Sequence, residues 1–215
     1  MILIRSIVLL ASSLTAQTPA DSTRAVGRDR PGIYIGPFVG GVSAELSGLS
    51  NLYVTHHSRL DFSTGVQWDR VFESGAFLRS GVFYAGRGGA TSASSIDVDV
   101  VARYVEFPLL VGYRLPDAVG TRVFVMGGPQ LGIQASCKYE GQAFGMNVNL
   151  NCDDGETFDL AVLAGGGISI ALGRANLLFD FRLMQGLRDV EAGSGSKNRG
   201  VTIGAGYMFA LGHRE

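Results

Sequence analysis

Few side chains in this sequence stand in an arrangement that could do covalent chemistry. His56 and Ser58 lie two positions apart, a spacing in which an imidazole can take the proton of a serine hydroxyl. That chemistry also needs a carboxylate to orient the ring, and none can be assigned by spacing. A solvated loop is therefore the expectation for the pair. His56 and His57 fare no better as metal ligands, because neighbouring strand residues point to opposite faces, and His213 sits in the C-terminal tail. Asp97 with Asp99, and Asp153 with Asp154 and Glu156, could offer oxygen ligands to a loosely held calcium ion, but solvated acidic loops are the expected reading. The glycine clusters Gly127-Gly128, Gly165-Gly166-Gly167 and Gly193-Ser194-Gly195-Ser196 lack a phosphate-binding spacing. No catalytic, cofactor-binding or metal-ligating residue is expected.

Cys137 and Cys152 are the two cysteines. An even pair at modest spacing reads as a disulfide that staples one loop in an oxidising compartment, since a metal site would want more Cys or His nearby. The start of the chain points to such a compartment. In residues 1–20, Arg5 precedes an apolar stretch from Ile7 to Leu10 and small residues from Ala11 onward, the layout of a secretory signal peptide. Cleavage after Ala16, Gln17 or Ala20 fits equally. The apolar core falls well short of the ~20 residues that span a bilayer as a helix. Residues 21–32 form a polar lead, and residues 33–215 are expected to be one domain. A net charge of −1 gives no basic field for nucleic acid.

The elements that would hold these residues are strands. Leu60, Phe62, Thr64, Val66 and Trp68 alternate with Asp61, Ser63, Gly65, Gln67 and Asp69, a period of two with one apolar and one wet face. Counting from Ile33 to Ser43, eight such segments follow one another. Short turns around Glu73, from Pro116 to Gly120 and at Gly173 alternate strictly with long polar stretches, Leu46 to His57, Arg87 to Val98, Ser136 to Glu156 and Arg188 to Asn198. Short periplasmic turns and long outer loops alternate in this way in outer-membrane barrels. The expected fold is all-β, an eight-stranded antiparallel up-and-down transmembrane β-barrel. A soluble lipocalin-like barrel, the third reading, would place charge outside and apolar residues inside.

Trp68, Tyr84, Tyr113 and Tyr207 fall toward strand ends, as an interfacial girdle requires. Arg79, Glu106, Asp180 and Arg182 lie opposite the large apolar residues of their strands and are expected to form a buried polar network in the lumen. Arg79 and Glu106 are on consecutive strands, which makes a direct salt bridge feasible. Eight strands enclose an interior that side chains fill, so an open pore is not expected.

Within the fourth strand runs Tyr104-Val105-Glu106-Phe107-Pro108-Leu109-Leu110-Val111-Gly112-Tyr113. It resembles the signature of the PorT-like family of outer-membrane β-barrel domains, carried here by Tyr104, Glu106, Pro108, Leu109, Leu110 and Tyr113. The resemblance implies an integral outer-membrane protein of a Gram-negative bacterium that contacts outer-membrane lipid, sometimes labelled a porin. In some relatives it implies a secretion or envelope partner. A non-enzymatic structural, binding or assembly-accessory role without cofactor is the expected function. The competing enzyme reading is an outer-membrane lipid hydrolase, to whose His-x-Ser spacing His56 and Ser58 are similar.

Overall fold

In the computed structural model, residues 31–47, 55–93, 96–115, 121–152, 157–189 and 197–211 are described. They form ten strands: β1 (Gly32–Ser47), β2 (Thr55–His57), β3 (Arg59–Val71), β4 (Ala76–Ala93), β5 (Ile96–Arg114), β6 (Thr121–Ala143), β7 (Met146–Asn151), β8 (Phe158–Leu172), β9 (Ala175–Gly186) and β10 (Lys197–Leu211). Each long strand pairs antiparallel with its neighbours in the chain, from β1 through β3, β4, β5, β6, β8 and β9 to β10. The pairing of β10 with β1 then closes the ring. The barrel has eight strands, as the alternating sequence leads one to expect.

Alternation gives the barrel its two faces. Val66, Val82, Leu109, Val111, Val125, Phe179, Phe181 and Ile203 are exposed on the outer wall, whereas Gln67, Asp69, Arg79, Glu106, Asp180 and Arg182 are buried inside. An apolar outside and a polar inside define a barrel whose solvent is lipid. Tyr84, Tyr113 and Tyr207 are also exposed on the outer wall. Tyr113 and Tyr207 stand near the short-turn end and Tyr84 near the other. Phe38 and Phe77 point inward, each lying across a glycine of the next strand. A Cβ on Gly204 would come within 2.3 Å of the Phe38 ring, and one on Gly112 within 2.3 Å of Phe77. At these two positions glycine makes room for a lumen ring.

The turns at one end are tight. Gly173 and Arg174 alone join β8 to β9, with Gly173 at φ 67°, where glycine escapes the Cβ penalty. Pro108 interrupts the β4–β5 ladder without shifting its register, and Ser80 donates to the Pro108 carbonyl at 2.7 Å.

At the other end two expectations need correcting. Arg87 to Val98 and Ser136 to Glu156 read as loops in the sequence, yet their described residues are mostly strand. Arg87 to Ala93 pairs with Ile96 to Ala102, and β6 runs on to Ala143 before turning into β7. Polarity alone marked them as loops because their outward residues are hydrophilic, which is what a strand outside the membrane requires. Cys137 and Cys152 form a disulfide across the base of the β6–β7 hairpin, with a Cα separation of 5.3 Å. The signal segment, the 116–120 turn, Asp153, Asp154, Glu156, His213 and the His56 side chain lie outside the described residues.

This topology predicts that an epitope inserted near Asn51 or Gly193 is accessible on intact cells and one near Asp117 is not; the inverse pattern would overturn the orientation. Reduction of Cys137–Cys152 should loosen the β6–β7 hairpin to protease while the folded barrel band persists on semi-native gels. Loss of the band on reduction would show that the bridge supports the barrel itself.

Candidate functional site

The lumen is the most elaborate polar arrangement among the described residues. Asp69 and Arg79 face one another in the β3–β4 register, and the guanidinium grips the carboxylate with two bonds of 2.9 Å. Arg79 Nη1 then donates to Asp180 at 3.1 Å, across the barrel on β9. Arg114 Nη2 donates to Asp69 at 3.1 Å. Arg182 Nη2 donates to Asp180 at 2.7 Å and to Gln67 at 2.8 Å. The guanidinium groups are also roofed by aromatic faces: Arg79 lies 4.8 Å from the Phe124 centroid and 5.2 Å from that of Phe77, and Arg182 lies 4.4 Å from Phe38. Such cation–π contacts strengthen where water is excluded.

A second storey lies toward the long-loop end. Arg87 pairs with Glu106, and Asn198 donates to Asp159 at 2.8 Å. Four arginines, Arg79, Arg87, Arg114 and Arg182, and four carboxylates, Asp69, Glu106, Asp159 and Asp180, are buried among the described residues. The interior is thus charge-balanced. Between the storeys, beside Arg87, Glu106, Gln130 and Arg182, remains a cavity of about 20 Å³, room for one water molecule and not for a file of them. Chemically the arrangement is a plug.

Of the four residues that the sequence singles out for the lumen, Arg79, Asp180 and Arg182 meet in one network. Glu106 does not join them. In the β4–β5 register Arg79 faces Leu110 while Glu106 faces Phe83, an offset of four residues or roughly 13 Å of strand, so the anticipated Arg79–Glu106 bridge is absent and Glu106 takes Arg87 instead. Asp69 and Gln67 share the wet parity of their strand and were legible; Arg87 was hidden because its segment reads as a loop. Tyr104, Glu106, Pro108 and Leu110 face inward, and Leu109 and Tyr113 face outward. The family string therefore contributes to both faces. No cluster of His, Cys, Asp and Glu suited to a metal ion is found among the described residues.

Beyond the barrel, β2, β4, β5, β6 and β7 continue as one sheet. Val100, Tyr139 and Leu150 form one row across β5, β6 and β7; Val98, Gly141 and Val148 form the next; Ile96, Ala143 and Met146 form the third. The opposite face carries Asp97, Asp99, Lys138, Glu140, Asn147 and Asn149. Phe144, at the hairpin tip, is 72% exposed and adopts φ 52°, a conformation uncommon for a bulky residue.

The outer wall carries one groove of about 510 Å³, lined among others by Ser43, Glu45, Ser58, Leu183 and Arg199. Ser58 of the His-x-Ser pair therefore shares a concavity with a carboxylate, Glu45.

The sequence profile of a family described as "Outer membrane protein beta-barrel domain" matches residues 17–191. Among proteins of curated function no sequence match is found. In fold, the chain is similar to Neisserial surface protein A, with a TM-score of 0.51 at 14% identity over 83% of this chain and 97% of that one. Similar solved structures also include Ail, the attachment invasion locus protein of Yersinia pestis, at 13% identity, TM-score 0.46 and coverage of 83% and 99%. Another is OprG from Pseudomonas aeruginosa, at 13% identity, TM-score 0.44 and coverage of 84% and 97%.

The pairing dictates which substitutions compensate. Glu106→Ala strands Arg87 in a buried site, at a cost of about 3 to 5 kcal/mol for a dry pair, and should lower the temperature at which the folded band disappears on semi-native gels. Arg87→Ala in the same chain should recover part of that loss, whereas Arg79→Ala should deepen it. Recovery by Arg79→Ala would contradict the pairing.

Proposed function

Since the chain belongs to the outer membrane protein beta-barrel domain family, we propose that it serves there as a non-enzymatic binding or structural barrel, anchored in lipid and closed to diffusion. The charge-balanced lumen carries this reading. Each of the four arginines and four carboxylates buried among the described residues is held by a neighbour, so ions would have to break buried pairs to pass. Signal-peptide export through residues 1–20 belongs to the same proposal.

The working surface is the sheet that projects past the barrel. Its apolar rows from Ile96 to Leu150 and the strained, exposed Phe144 support a contact with another protein, since an exposed apolar patch rimmed by polar residues is the usual mark of one. The likeness of Tyr104 to Tyr113 to PorT-like barrels favours a secretion or envelope protein as that partner.

Reconstituted in a planar bilayer, the protein should give no stepwise conductance, and steady channels would overturn the sealed-lumen reading. Intact cells displaying it should adhere to octyl-coated beads more than cells displaying the Val148→Lys, Leu150→Lys double variant; equal adhesion would remove the sheet as the contact surface. Turnover of phospholipid or lipopolysaccharide that is lost in Ser58→Ala would overturn the non-enzymatic assignment.

A further inference from the structure

The groove on the outer wall is built from two rows of side chains that run around the barrel at its outer rim. In the lower row, Ser43 on β1 pairs with Val201 on β10, which pairs with Leu183 on β9, which pairs with Ala164 on β8. In the row above, Glu45 pairs with Arg199, Arg199 with Gln185, and Gln185 with Val162. All eight point away from the lumen. Leu183 and Val201 are the last apolar outward positions on β9 and β10 before Gln185 and Arg199. On β9 and β10 the boundary between acyl chains and headgroups therefore falls between the two rows, because polar outward residues are costly below it and ordinary above it, whereas on β8 the outward face stays apolar through Val162, Leu160 and Phe158.

Small side chains make the wall concave there. Ser43 and Ala164, with Gly200 behind them, recede between larger neighbours and open a space of about 510 Å³, within the range of small-molecule sites. The upper row is charged in a definite pattern. Arg199 Nε donates to Gln185 Oε1 at 2.9 Å, which fixes the guanidinium, and its Nη1 lies 3.8 Å from Glu45 Oε1. The two charged side chains are 55% and 48% exposed, so both can still receive a ligand. A cation and an anion stand side by side at headgroup depth, above an apolar hollow that is continuous with the lipid-facing wall.

We propose that this groove is a binding site for one membrane phospholipid with a phosphoethanolamine headgroup. An acyl chain lies in the hollow against Leu183, Val201 and Ala164, the phosphate takes donors from Arg199, and the ammonium donates to Glu45. Arginine suits the phosphate because its planar fork offers paired donors. A lipid whose headgroup has phosphate but no amine sets its negative charge beside Glu45 with nothing to offset it. A choline headgroup carries the positive charge but no N–H to donate. The two-charge rim therefore selects the zwitterion with a primary amine.

The test is native mass spectrometry of the full-length barrel, delipidated in detergent and then titrated in turn with dioleoyl phosphatidylethanolamine, phosphatidylglycerol and phosphatidylcholine. The native protein should retain the ethanolamine lipid several-fold more than either of the others. Glu45→Gln should bring the ethanolamine-to-glycerol ratio toward one, and Arg199→Gln should lower retention of all three. Ala164→Trp, which fills the hollow, should abolish retention while the heat-modifiable folded band remains. Equal retention of the three lipids by the native barrel, or a Glu45→Gln variant that keeps the full preference, overturns the proposal; both readouts stand even if the tryptophan variant fails to fold.

Discussion

A β-strand can sit in a bilayer only if none of its backbone donors and acceptors is left bare, and in this chain the pairing of β1 with β10 satisfies that condition for the whole sheet. Without it both edges would face hydrocarbon. Closing eight strands also fixes a narrow diameter, so the inward side chains meet one another across the axis instead of lining a water column. The two faces of every strand are then assigned. Outward positions must be apolar because lipid surrounds them, and inward positions must fill a small volume with partners for whatever polarity they carry.

Polar filling is the more demanding half of that arrangement. All four cations buried in the described lumen are arginines, and the choice has a physical reason: guanidinium is less strongly hydrated than ammonium, bridges several carboxylates at once and stacks on rings. Arg79 does all of this, since it joins Asp69 on β3 to Asp180 on β9 while Phe77 and Phe124 flank it. The network therefore crosses the lumen and ties distant walls together. Hydrophobic residues of similar volume often match the stability of buried ion pairs, but here they would make the inner parity indistinguishable from the outer, and register depends on that contrast.

The fold was legible because the period of two is obeyed almost without exception through the membrane-spanning part, and because turn residues such as Gly173 fall where the pattern breaks. The members of the lumen network were legible by parity, except Arg87, whose segment reads as a loop. Their partners were not, because a pairing depends on register, and the offset that separates Arg79 from Glu106 is set by where the β4–β5 ladder closes beyond Ala93 and Ile96. The wall groove was invisible for a similar reason. Glu45, Arg199 and Gln185 come from three separate strands and become neighbours only in the closed ring.

The projecting sheet reads as loop for a different reason, one that says where the membrane ends. Along β5 the outward residues run Val111, Leu109, Phe107 and Val105, then Arg103, Val101, Asp99 and Asp97, so that three of the last four are charged, while the inward ones run Glu106 and Tyr104, then Ala102, Val100, Val98 and Ile96. The alternation never stops, but its sides exchange chemistry at Arg103. On β6 the exchange coincides with the bulge at Ala135, which has no partner between the Tyr104–Gln134 and Arg103–Ser136 pairs. On the neighbouring edge, β2 sits one residue out of step with β3 against β4. Bulges increase local twist, so the irregularities fall where a wall that must follow the barrel becomes a sheet that need not. The point at which charge moves from the inner to the outer parity is thus the rim of the membrane, and beyond it the lipid rule for reading a strand has to be turned inside out.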